Sequence, residues 1–130
     1  MAGIVPPTAA VQRAYRLSTY HAHGLPVIRI GQPPRWRGRV PEGDIVLLGA
    51  CNPGGRRHMD GWNRRMMRAL ARHLHGVPHV LGEGRLGQWA EPLYAVQVPL
   101  ARGLRLARLF RQNAVVVLHG RRPARLVYLA

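Results

Sequence analysis

Apolar residues fall into short runs separated by glycine, proline and arginine, and their period changes along the chain. Residues 1–11 carry no sustained pattern and read as a flexible leader. Residues 14–21 alternate apolar and polar, which predicts a strand. Gly24 interrupts the alternation, and residues 25–31 read as its hairpin partner. Residues 32–43 are rich in proline and arginine and read as an irregular loop. Residues 44–50 are almost continuously apolar, as expected of a strand buried on both faces. Asn52-Pro53-Gly54-Gly55 ends that run in a loop. Asp60 is suited to cap a helix that runs to about residue 75, with Gly76 and Pro78 just beyond it. In that helix Trp62, Met66, Leu70 and Leu74 form an apolar stripe, and Arg65, Arg68 and Arg72 form a solvent stripe. Residues 77–82 read as a short strand, 82–87 as a glycine-rich loop and 92–98 as an alternating strand. A second helix is predicted over 100–112. Leu100, Leu104, Ala107 and Phe110 face the core, and Arg102, Arg105 and Arg108 face water. Gly103 should weaken this helix by about 1 kcal/mol relative to alanine. Residues 113–119 form another buried strand. Gly120 to Pro123 turns the chain into a last strand, 124–129.

The predicted order is β-β-β-α-β-β-α-β-β. Its middle six elements read βαββαβ, which predicts an α+β, two-layer sandwich with a ferredoxin-like core on a mostly antiparallel sheet. The N-terminal hairpin and the last strand would extend the sheet at its edges. Beyond the leader, residues 12–130 read as one domain.

Composition narrows the chemistry. The chain has 130 residues, with 20 basic and 5 acidic side chains and a formal net charge of +15. Every basic residue is arginine, and the absence of lysine excludes Schiff-base chemistry and a Walker-type phosphate lysine. A single cysteine, Cys51, excludes an intramolecular disulfide and a multi-thiolate zinc site. The seven histidines are scattered and predict no metal site; no cofactor is expected. No run approaches the roughly 18 apolar residues of a membrane span. Residues 1–10 lack the basic start of a signal peptide, so a cytoplasmic location without a membrane partner is expected. The charge itself has two readings, an anionic partner such as RNA or a genome that encodes basic residues as arginine.

The candidate chemistry lies at element ends. The Asn52–Arg57 loop precedes a helix. Its amides beside Gly54-Gly55, together with Arg56 and Arg57, could hold a phosphate or carboxylate. It could equally be a structural turn braced by Asn52. Asn63, one turn into the helix, can point back over the loop as a ligand contact or as a brace. Glu91 could be a general base or an acceptor for ligand N–H groups. Alternatively it pairs with an arginine, and so many guanidiniums should lower its pKa. Gln112 could reach a ligand. Asn113 suits a ligand contact or a left-handed helix C-cap. Cys51 reads as a buried, inert thiol. Trp36, Trp62 and Trp89 read as core or loop anchors, with base stacking as the other possibility.

Several of these residues together resemble a known family. Asn52-Pro53 after a buried strand, Asn63, Gly82-Glu83-Gly84, Trp89 with Glu91, and Phe110 to Ala114 resemble the bacterial family called domain of unknown function 3293. The resemblance runs over about residues 12–129. It implies the domain boundaries and the candidate positions, and no activity. Cys51 stands where the family usually has an aromatic residue, and Gly55 where it often has serine.

The expected function is a binding module. Its polar pocket would use Asn52, Arg56, Arg57, Asn63, Glu91, Gln112 and Asn113 for an anionic small molecule, a nucleotide or a phosphorylated metabolite. The alternative is an RNA-binding or ribosome-associated protein. A small enzyme acting through Glu91 is a third reading.

Overall fold

A computed structural model describes residues 3–129. The elements are α1 (Ala9–Leu17), β1 (Thr19–Ala22), β2 (Ile28–Arg29), β3 (Asp44–Leu48), α2 (Asp60–His73), β4 (His79–Leu86), β5 (Trp89–Val96), α3 (Leu100–Leu109), β6 (Ala114–His119) and β7 (Arg125–Tyr128), with a 3-10 turn at Pro53–Gly55 before α2. Three α-helices and one antiparallel sheet in the order β2-β1-β4-β5-β3-β6-β7 make this an α+β protein.

The continuous apolar runs became the central strands. On β3, Val46 and Leu48 face one side and Ile45 and Leu47 the other, and all four are buried. The same alternation divides β6 into Val115 and Val117 against Val116 and Leu118. Two cores follow. The first joins Val46, Leu48, Val96, Val115 and Val117 to Met67, Leu70 and Leu74 of α2 and to Ala107 and Phe110 of the α3 end. The predicted arginine stripes of both helices are exposed. The second core, on the opposite face, gathers Tyr20, Ile28, Ile45, Leu47, Leu93, Val116 and Leu118.

No helix covers that second core, because the two ends of the strand order meet around it. Ile30, beyond β2, bridges Ala124, ahead of β7, and is parallel to it. Gly31 N donates to Ala124 O at 2.8 Å and Ala124 N to Gln32 O at 3.0 Å. The loop between β2 and β3 is tied down where Trp36 Nε1 donates to Gly120 O at 3.1 Å. Edge strands otherwise left open thereby find partners.

Four local expectations are corrected. Residues 14–17 are helical, not extended. Helix α1 begins inside the segment read as a leader, where Thr8 Oγ1 accepts from Val11 N at 3.2 Å and supplies an N-cap. The glycine-rich stretch 82–87 is not a loop; it completes β4, which pairs with β5 from His79↔Val96 to Leu86↔Trp89. Gly82 is needed because a Cβ there would collide with His21 O on the adjacent strand. Helix α2 is capped by Met59, with Asp60 already in its first turn. Helix α3 ends at Leu109. The left-handed residue after it is Arg111 (φ 55°), so Asn113 is not its cap.

Candidate functional site

The site begins where β3 stops. The last β3–β5 pair is Leu48↔Tyr94, so the first residues of β5 overhang without a β3 neighbour. The chain leaving β3 turns beneath this overhang. A Cβ on Gly49 would lie 3.2 Å from Pro92 O. Asn52 then adopts left-handed backbone, φ 46° and ψ 56°, which asparagine tolerates better than most residues.

Asn52 is held from several directions. Its N–H donates to Asn63 Oδ1 at 3.0 Å, and its Oδ1 accepts from Asn63 Nδ2 at 2.9 Å and from His58 N at 2.8 Å. Those bonds orient the amide so that Asn52 Nδ2 donates to Glu91 Oε1 at 2.5 Å. Gln112 Nε2 donates to Cys51 O at 3.1 Å and Phe110 O at 3.2 Å, tying the loop to the end of α3. Gly54 N donates to Arg111 O at 3.1 Å, Gly55 N to Asn52 O at 2.9 Å and Arg56 N to Pro53 O at 3.4 Å. The amides of Asn52, Gly54, Gly55, Arg56 and His58 are therefore engaged by the fold itself. The loop is a braced structural turn, with Asn63 as the brace.

Glu91 differs most from its sequence-based expectation. Burial pushes its carboxyl up to about 7, against a smaller lowering by the Asn52 hydrogen bond. Among the described residues no arginine pairs with it; the ion pairs are Arg85–Glu83 and His119–Asp44. Nearby groups respond to burial in the same sense. Desolvation, and then the Glu91 charge, raise the Cys51 thiol to about 12, which keeps it protonated. Desolvation, Glu91 and Tyr128 raise Tyr15 to about 12. The Tyr15 hydroxyl donates to Asn113 Oδ1, and Tyr20 Oη donates to Tyr15 O at 2.8 Å. Tyr20 finds room because its partner across the strands is Gly84, where a Cβ would lie 3.3 Å from the ring. Asn113 Nδ2 and the Tyr128 hydroxyl are buried without a partner among the described residues.

Tyr15, Cys51, Asn52, Glu91 and Gln112 line a cleft of about 890 Å³. Its walls are α1 through Val11, Ala14 and Tyr15, the first turns of α2, and the overhanging hairpin through Leu81, Leu86 and Trp89. Of the candidates named from sequence, Asn52, Arg57, Asn63, Glu91 and Gln112 line it. Arg56 is exposed and does not line it, and Asn113 lies buried behind Tyr15. Arg64 and Arg68, outside the set of candidates, also line it. Their i, i+4 spacing on the helix, starting next to Asn63, was the available clue. Tyr15 could not be found while its segment read as a strand. No group of His, Cys, Asp and Glu among the described residues is arranged to hold a metal ion. Chemically, the site pairs one partly buried acid with a largely apolar wall and arginines.

The fold and site thus define a small α+β domain with a cleft at the end of its central strand. The chain belongs to the family described as "Protein of unknown function (DUF3293)", whose model matches residues 48–115. That span contains Asn52, Asn63, Glu91 and Gln112, whereas the α1 wall lies before it. No curated protein and no solved structure matches the chain.

Proposed function

We propose that this domain is a binding module for an anionic small molecule, a nucleotide or a phosphorylated metabolite, held in the cleft above Glu91. The observation that carries this reading is one acid, partly buried and unpaired with any arginine among the described residues, flooring a cleft also lined by Arg57, Arg64 and Arg68. Such a site suits a ligand with N–H donors at one end and an anion at the other. The cleft's size and mostly apolar wall are those of small-molecule sites. Asn52, Asn63 and Gln112 spend their hydrogen bonds on the loop, so they build the floor and orient Glu91.

Native mass spectrometry of freshly purified protein tests the proposal. A phosphorylated small molecule should travel with the wild type and be lost from the Arg57→Ala/Arg64→Ala variant, which should melt as the wild type does. At least tenfold weaker binding is expected, or roughly 1.4 kcal/mol. No retained molecule, together with no thermal stabilisation by nucleoside monophosphates or pyrophosphate, would overturn it.

The second reading, an RNA-binding or ribosome-associated protein, rests on a separate observation. Arg85 is the only arginine paired with a carboxylate among the described residues. The exposed guanidiniums of α2 and α3 are free to meet phosphates. For the core we propose the ferredoxin-like arrangement, supported by the strand order β4-β5-β3-β6 with α2 and α3 packed on one face. No described helix is long and apolar enough to cross a membrane. A bacterial, cytoplasmic protein remains part of the proposal; a lone free thiol suits a reducing compartment.

A further inference from the structure

We infer that the cleft selects a guanine base, so that its ligand is a guanine mononucleotide bound with its base on Glu91 and its phosphate toward Arg57, Arg64 and Arg68. This rests on the anionic-ligand reading and narrows it.

The inference follows from which hydrogen bonds on the floor are already made. Asn52 Oδ1 accepts twice, and Asn52 Nδ2 is committed to Glu91 Oε1. Asn63 Nδ2 and Gln112 Nε2 donate to loop oxygens. Both N–H groups of Asn63 Nδ2 and both of Gln112 Nε2 have protein acceptors, and a single amide N–H, on Asn52 Nδ2, is left over. Most of what remains are acceptors. An ionised carboxylate has about four acceptor positions, and Asn52 occupies one at Glu91. Gln112 Oε1 accepts from no described protein group, and Gln112 lines the same cleft.

Acceptors that outnumber the one free amide donor discriminate among bases. Guanine presents its ring N1–H and exocyclic amine side by side, two donors that a carboxylate can take together. Adenine and cytosine place a ring-nitrogen acceptor beside their amine, which would face the carboxylate lone pairs. Uracil flanks its single N–H with carbonyls. A pocket built to receive two donors rejects ligands that lack them, because buried polar groups are then left unmatched.

Trp89 supplies a surface for the base. It is 50 % exposed, lines the cleft and stands two residues before Glu91 on β5, which puts both side chains on one side of the strand. Indole faces stack on any base, so Trp89 contributes affinity and Glu91 the choice.

Isothermal titration at pH 8, where the Glu91 carboxyl is ionised, with GMP, AMP and inorganic pyrophosphate as probes, tests this. GMP should bind at least tenfold more tightly than AMP. Glu91→Gln should bring GMP to within about threefold of AMP, and Trp89→Ala, at an exposed position, should weaken both nucleotides by a similar factor. AMP binding as tightly as GMP to the wild type, or a GMP preference that survives Glu91→Gln, would overturn the guanine assignment and leave the anion site standing. If none of the three probes binds, both readings fall.

Discussion

Glu91 shows how a charge count can mislead about a single residue. With 20 basic side chains against 5 acidic ones, a lowered carboxyl is the natural expectation. Yet a charge acts over distance and through its surroundings, and composition reports neither. The chain turns at Asn52 and folds α1 over the hairpin, so that Glu91 is desolvated and the Asn52 amide is its hydrogen-bond partner. The consequence for stability has a definite sign. A carboxyl raised from 4.5 to about 7 takes up a proton on folding, so its contribution is fully present below about 4.5 and is lost as pH rises to about 7. Glutamine at this position can still accept from Asn52 and does not titrate. Glu91→Gln should therefore gain in melting temperature relative to wild type as buffers move from pH 5 to pH 8. Thermal unfolding at both values checks this. A difference that stays constant would mean that the carboxyl is well solvated, and one that shrinks toward pH 8 that its surroundings favour the ionised form.

At the scale of elements, the long periodic segments were legible, whereas the glycines of β4 read as a loop. The stripes of α2 and α3 and the continuous runs of β3 and β6 are in the sequence because burial requires them. Glycine carries an ambiguous message: it marks turns, and it also marks places where another chain comes too close for a side chain. Gly82 and Gly84 are of the second kind, since β1 and the Tyr20 ring lie over them. Gly103 is too. Considered alone it only weakens α3, but it is buried against Val46, and a Cβ would approach Val46 Cγ1 to 2.8 Å. Two effects then compete in Gly103→Ala. Helix propensity favours alanine by about 1 kcal/mol. Overpacking against a fully buried β3 residue costs about 1–3 kcal/mol. The net expectation is a destabilisation of about 1 kcal/mol, or a melting temperature lower by roughly 4 °C. A stabilised variant would show that α3 can lift from β3 without cost.

For the whole molecule, what could not be read from sequence is what arises between distant segments. The Ile30–Ala124 bridge joins residues far apart in the chain through a few backbone hydrogen bonds, and no local pattern announces it. The cleft has the same origin. Glu91, Asn52 and Tyr15 come from different elements, and the first of these walls to form in sequence, α1, was hidden by a segment whose alternation also suits a strand. The net charge of +15, by contrast, was legible from the start, and the fold clarifies its use. Some arginines line the cleft, whereas Arg102, Arg105 and Arg108 lie exposed on α3, outside it. Unpaired surface guanidiniums attract any polyanion by releasing its counterions, and that attraction falls linearly in log K against log salt. Binding to a single-stranded RNA oligonucleotide should accordingly weaken steeply between low and physiological salt. Replacing Arg105 and Arg108 together by glutamine should flatten the slope by about 1.4, at roughly 0.7 for each phosphate that is no longer neutralised. The same double variant should bind GMP in the cleft as the wild type does, because neither side chain reaches it. A slope unchanged by the double variant would assign these arginines to solubility. A parallel weakening of GMP binding would show that the helix face and the cleft form one continuous site.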